Sequence, residues 1–205
     1  MQNPLINIKC VVLVVACLLP LSQSSSHARE KFNSVSGSLL IASPAMVDSR
    51  FVGAVIYVYE HTEMGALGIV INRPILSVSA EAIAEQFEIF TTTQKADIRI
   101  FWGGPVQAGR GFILHSSDYL EEGSRIVHGG IAVTSSERML KAILEGGGPS
   151  HSIFALGCAG WAPGQLDREL FREDWLTLRL GPEYIFGENH SDMWETATKL
   201  YTIDL

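Results

Sequence analysis

The sequence predicts a single α/β (α+β) domain: a mixed, twisted sheet, open to partial closure into a barrel, flanked on its outside by three or four helices. Three observations predict it. The chain has 205 residues, 47% apolar and 18% charged; a chain of this size buries roughly 70% of its unfolded surface, and that apolar content excludes disorder. Short apolar runs rich in β-branched residues often follow one another directly, with amphipathic stretches inserted between groups of them rather than in strict alternation. No linker, low-complexity tract or internal repeat divides the chain.

Residues 1–28 stand apart from that domain and read as a signal peptide. Lys9 leads into an apolar run from Cys10 to Leu19, about half of the roughly 20 residues that a membrane span requires. Ser26-His27-Ala28 then puts small residues at the −3 and −1 positions of a cleavage site, with Arg29 opening the mature chain of residues 29–205. Two other readings are an apolar N-terminal helix or misplaced start codon, which would leave the protein cytoplasmic, and a lipobox at Val14-Val15-Ala16-Cys17. Apolar Leu18, Leu19 and Leu21 would follow the lipobox cut, which weighs against it. Cleavage implies export, to a periplasm, with membrane contact through this segment only. It also removes Cys10 and Cys17 and leaves Cys158 as the single cysteine, so no intramolecular disulfide can form. Fifteen Lys plus Arg against 22 Asp plus Glu, a net charge of −7, disfavour nucleic acid as a partner, because that affinity needs clustered cations.

In chain order, Gly37 to Ala42, Phe51 to Tyr59 and Ala66 to Ile71 read as buried strands, the last two joined as a hairpin at Glu63-Met64-Gly65. Ser79 is placed to cap a helix over AEAIAEQFEIF, with Ile83 and Phe87 on one face. Ile98 to Trp102, Phe112 to His115, Arg125 to Val127 and Ile131 to Thr134 supply further strands. Thr134-Ser135-Ser136-Glu137 has capping-box spacing ahead of a helix that carries Met139/Ile143 and Leu140/Leu144 and stops at Gly146. Ile153 to Leu156 is a strand, and Pro163 opens a helix over PGQLDRELFRE with Leu166 and Leu170 facing in. Trp175 to Leu178 is the last strand. Asn189 or Ser191 caps a final helix, DMWETATKLY, with Trp194, Ala197 and Tyr201 on one stripe.

Four blocks are distinctive: GSLLIASP from Gly37 to Pro44; YVYEH at Tyr57 to His61 followed by GALGIVINRP from Gly65 to Pro74; GGPV from Gly103 to Val106; and GCAGWAPGQL from Gly157 to Leu166. Their order and spacing resemble the AlgH/YqgE family of bacterial proteins over about residues 36–200. The resemblance implies an α/β fold in a mostly uncharacterised family, of which one member was named as a regulator of alginate synthesis, and it carries over no catalytic residue. In that family the position of Cys158 is commonly Tyr, which argues against a shared nucleophile there, and the usual compartment is the cytoplasm.

The residues of these blocks have chemical readings of their own. In Asn72-Arg73-Pro74, Pro74 forces Arg73 into an extended conformation at a strand end, where its guanidinium can grip an anion or simply pair with a nearby carboxylate. Gly103-Gly104-Pro105 can present amides to an anion or form a tight turn. In the stretch from Gly157 to Gln165 a strand is expected to enter a turn carrying Gly160, Trp161 and Gly164 and then a Pro-started helix whose free amides favour anions. It lacks the Lys and Ser/Thr of a phosphate-binding loop. Cys158 is a weak nucleophile candidate, with His61, His115, His128 or His151 as its base, because position 156 is Leu where a nucleophile elbow needs Gly. The mature histidines, His190 included, show no metal-ligand spacing, and neither a metal nor a cofactor is expected.

Two function classes follow. The preferred one is a non-catalytic binding or regulatory domain that recognises a small anionic ligand or a protein partner through Asn72, Arg73, Pro74, Gly103, Gly104, Pro105, Gly157, Gly160, Trp161, Gly164 and Gln165, gathered on one face. The alternative is a small thiol-dependent hydrolase built on Cys158.

Overall fold

Backbone pairing turns the short apolar runs into ten strands with five helices, in a computed structural model that describes residues 32–86, 88–89 and 97–203. In chain order these are β1 (Leu39–Ala42), β2 (Val55–Thr62), β3 (Gly65–Val70), β4 (Pro74–Val78), α1 (Ala80–Gln86), β5 (Ile98–Trp102), β6 (Val106–Ser116) and β7 (Arg125–His128). There follow β8 (Ile131–Thr134), α2 (Glu137–Leu144), β9 (Ser152–Trp161), α3 (Gln165–Phe171), β10 (Trp175–Leu178), α4 (Pro182–Ile185) and α5 (Met193–Ile203). The order across the sheet is β10-β1-β2-β3-β9-β6-β8-β7, with β5 also on β9 and β4 on β5. Every ladder is antiparallel except β5 with β9, so the sheet is mixed. The expected signal segment lies outside the described residues, as does Phe87 in the first predicted helix.

The sheet is assembled around β9, which changes partner halfway along. Its first half has β6 on one side and β5 on the other, with Ile100 opposite Phe154 and Trp102 opposite Leu156. Its second half pairs with β3, from Gly68 opposite Ala159 to Ala66 opposite Trp161. The change falls at Gly157, whose φ of +73° is accessible to glycine at little cost. Gly103 bridges the gap there: its N–H donates to the Leu156 carbonyl at 2.8 Å and its carbonyl accepts the Val70 N–H at 2.9 Å. The backbones pass so closely that a Cβ on Gly157 would lie 2.3 Å from the Gly104 oxygen.

Strand alternation distributes the side chains to two faces. Leu39 and Ile41 of β1 join Tyr57, Phe112, Leu114 and Cys158 in a core closed by α4 and α5. Leu40 and Ala42 face the other way, into a core with Ile56, Trp161, Leu166 and Trp175 that α3 covers. Helices α1 and α2 cover β5, β6 and the first half of β9 through Ile98, Ile113, Met139 and Leu144. The sheet curls until Arg125 on β7 pairs with Glu60 on β2. No ladder joins those strands, so the sheet stays open and the barrel closure allowed by the sequence is not made.

Several local expectations are corrected. Residues 157–161 are the second half of β9 rather than a turn, because β3 supplies a ladder for them. Pro163 precedes α3 instead of opening it, and the helix starts at Gln165 after Gly164 turns the chain with a left-handed φ of +65°. Ser136, not Thr134, caps α2 through the Arg138 N–H, while Thr134 ends β8 and accepts the Ser136 N–H. Strand β2 starts at Val55, since Phe51 to Gly53 form a turn closed by the Ala54 N–H on the Phe51 carbonyl. Pro74 opens β4, and α4 is a single turn, too short to show a period. Asp192, not Asn189 or Ser191, precedes α5, and Asn189 donates to its carboxylate.

The packing generates two predictions. Gly53 has a φ of +68° but open space around its missing Cβ, so Gly53→Ala should cost only the backbone strain, about 1 kcal/mol. Gly157→Ala adds a backbone collision and should cost over about 3 kcal/mol or abolish folding; urea titration of the two variants checks the order. The second concerns pH. Burial pushes the His115 and His190 imidazoles below the ordinary value of 6.5, against smaller opposing effects from Ser116 and Asp118 at His115 and from Ile71 and Glu188 at His190; Arg99 lowers His190 further. A depressed folded value means the unfolded chain binds the proton better, so their contribution is present above about pH 6.5 and lost as pH falls through the folded values. The Tm should therefore drop between pH 7.5 and pH 5.5, and the double variant His115→Gln/His190→Gln should show a shallower drop.

Candidate binding cleft

A cleft of about 510 Å³ opens where the second half of β9, the start of β10 and α3 meet the loop after β1. Its aromatic floor is made by Phe51, Trp161 and Trp175. The two indoles meet edge to face with centroids 6.1 Å apart, and Phe51 stands 5.7 Å from Trp175. One carboxylate fixes both rings: Glu169 Oε2 accepts Trp161 Nε1–H and Trp175 Nε1–H, each at 2.8 Å. Glu169 Oε1 accepts the Gln165 side-chain amide at 2.9 Å, and Gln165 in turn accepts the Ala162 N–H. The i, i+4 spacing of Gln165 and Glu169 on α3 makes that chain of contacts possible.

The rim carries charge that is already matched. Arg50 pairs with Asp48 at 2.7 Å and Arg172 with Asp174 at 2.6 Å, all four groups lining the cleft. The Arg50 guanidinium holds the Asp48 carboxyl below the usual carboxylate range. Between the pairs stand apolar Met46, Val106 and Val47, the last 93% exposed.

The strand-end residues singled out by sequence divide among five roles. Pro105, Gly160, Trp161 and Gln165 line the cleft. Asn72 and Arg73 build its wall from behind: Asn72 bonds the Gly53 carbonyl and the Val55 N–H at 2.9 Å each, while Arg73 donates to the carbonyls of Arg50 and Val52 and lies over the Trp102 ring. Both terminal nitrogens of that guanidinium are thus turned inward on backbone. Gly103, Gly104 and Gly157 are buried at the partner change in β9, Gly164 precedes α3, and Pro74 opens β4. Sequence reasoning missed Phe51, Glu169 and Trp175. Only the Gln165/Glu169 spacing was a local signal for any of them.

Cys158 is 1% exposed, and burial pushes its thiol above the ordinary value; its hydrogen-bond partner is the Tyr59 hydroxyl. His61, also buried, accepts the Val35 N–H at Nδ1 and faces Asp167 at 3.6 Å. His115 Nδ1 lies 2.9 Å from the Ser116 carbonyl, and His151 stacks on Phe186. No cluster of three His, Cys, Asp or Glu groups among the described residues is placed to share a metal, and no helix among them is long and apolar enough to cross a membrane.

Residues 39–205 match the family described as AlgH-like (DUF179). A UPF0301 protein of Rhodospirillum rubrum is 44% identical over 170 residues, covering 83% of this chain and 88% of its own length. One from Cereibacter sphaeroides is 40% identical over 83% of this chain and 93% of its own. The solution structure of the AlgH protein from Pseudomonas aeruginosa superposes with a TM-score of 0.66 at 35% identity, over 83% of this chain and 91% of that one. A Corynebacterium diphtheriae crystal structure, 20% identical with a TM-score of 0.65 over 84% and 90% of the two chains, shares the fold.

The floor of the cleft is open to a direct test. Glu169→Ala strands two indole N–H groups whose bonds to a charged acceptor are worth about 1.5–3 kcal/mol each, so the variant should lose about 2–4 kcal/mol in urea unfolding. Its tryptophan emission should shift to the red as Trp161 and Trp175 loosen; an unchanged spectrum and midpoint would mean that Glu169 does not hold the two indoles in place.

Proposed function

The chain belongs to the AlgH-like family, and we propose that it is a non-catalytic binding domain whose aromatic cleft takes an apolar side chain of a protein partner. The observation that carries this reading is the combination of a fixed aromatic floor with a self-neutralised rim. A small anion would have to displace Asp48 or Asp174 to reach a guanidinium, and Arg73 is occupied by carbonyls. An apolar side chain meets no such penalty and would cover Val47 and Val106, whose exposure beside a pocket is the pattern of a protein-binding patch. Thiol chemistry at Cys158 finds no support in a buried thiol whose pKa is raised.

The test is photo-crosslinking in the native host. A crosslinker at position 47 should give one discrete heterologous adduct, and one at Ile126, exposed on β7, should not. Trp161→Ala should reduce the adduct several-fold. Absence of any adduct from position 47, together with displacement of cleft resonances by inorganic phosphate, would favour the small-anion reading instead.

Export belongs to the same proposal. The protein isolated from its host should begin near Arg29 on N-terminal sequencing. An intact Met1 would return it to the cytoplasm, and a lipid on Cys17 would select the lipobox.

A further inference from the structure

We propose that a second groove, on the other half of β9, binds a free medium-chain carboxylate, its apolar tail along the sheet and its head at Arg110. The groove encloses about 600 Å³, within the range of small-molecule sites. Its floor is one row of side chains: Leu76, Ile100 and Phe154 stand directly opposite one another across β4, β5 and β9, so all three project from the same face. Leu156 extends the floor along β9, and Ile83 and Leu140 bring α1 and α2 in as walls. The row is not sealed. Leu76 is 47% and Leu156 36% exposed, and among the described residues no strand lies beyond β4.

A cation closes one end. Arg110 lies over the Phe112 ring at 5.5 Å and donates to Ser135 Oγ at 2.6 Å and to the Gln107 side-chain oxygen at 3.3 Å. Those partners are neutral. Arg50, Arg125, Arg138 and Arg172 each have a carboxylate within ion-pair distance, whereas no such pair holds Arg110 among the described residues. A guanidinium that pairs with no carboxylate among the described residues, at the mouth of an apolar groove in a chain of net charge −7, selects an amphiphile with one anionic group. A neutral apolar ligand would leave the charge unmet, and a polyanion would meet Glu137, the other charged group on the lining. This site is independent of the aromatic cleft, which uses Gly160 and Trp161 at the opposite end of the same strand.

The experiment is a calorimetric and amide-shift titration of the purified chain with octanoate, decanoate and decanol. Decanoate should bind saturably and more tightly than octanoate, by up to about fourfold per added methylene, with shifts centred on Leu76, Ile100 and Leu156. Arg110→Gln should weaken decanoate at least tenfold and leave decanol unchanged; Arg110→Lys should recover part of the loss. Glu137→Gln should tighten decanoate, Leu76→Glu should abolish it, and Val47→Asp in the aromatic cleft should leave it unaltered. The proposal fails if decanoate shows no saturation by about 1 mM. It also fails if Arg110→Gln weakens decanol equally, if the shifts map to Trp161 and Trp175, or if phosphatidylglycerol vesicles capture the chain while free decanoate does not bind.

Discussion

Everything in this fold depends on the close crossing of Gly157 with Gly103 and Gly104. Strand β9 must give one half of its edge to β5 and the other to β3, and a regular strand cannot change partner without leaving backbone groups unpaired. The left-handed turn of the chain at Gly157 redirects the strand, and the Gly103 amide and carbonyl take up the groups left between the two partners. Side chains at these positions would occupy the space through which the neighbouring backbone passes. The family-like blocks around Gly103 and Gly157 are therefore, in the first place, two sides of one crossing.

The two recesses are consequences of that crossing. Past Gly157, β9 carries Trp161 towards β10 and α3, where Glu169 gathers both indoles on one oxygen. Before it, Phe154 and Leu156 lie in the row that runs out to the open edge at Leu76. One strand thus presents Trp161 at one end and Phe154 with Leu156 at the other, and its bend separates them.

Charge placement distinguishes the recesses further. Around the aromatic cleft, Asp48 with Arg50 and Arg172 with Asp174 cancel locally as exposed pairs of modest strength, which leaves neither guanidinium free for an anion. Arg73 contributes by tying the Arg50 and Val52 carbonyls to the sheet, so it shapes the wall without offering charge to the cleft. Arg110, by contrast, faces its recess with neutral hydrogen-bond partners. An arginine's availability is set by what its donors already hold.

Fold class and most of the element positions were legible in the sequence, because these rest on local properties: β-branched runs such as LLIA at residues 39–42, the Glu63-Met64 hairpin loop, the amphipathic stripe of Met139 and Ile143, and the stop at Gly146. Trp161 and Gln165 were marked too, since they sit in a distinctive glycine-rich block. Relations across the chain were out of reach. Whether residues 157–161 form a turn or a strand was decided by β3, about ninety residues upstream, offering a ladder. Which groups Arg73 would hold was decided by the turn at residues 50–53, and the meeting of Trp161 with Trp175 and Glu169 by the packing of α3 on the sheet. Hydrophobic period and capping are written within a few residues, whereas hydrogen-bond partners and the sharing of one carboxylate exist only once distant segments have been brought together.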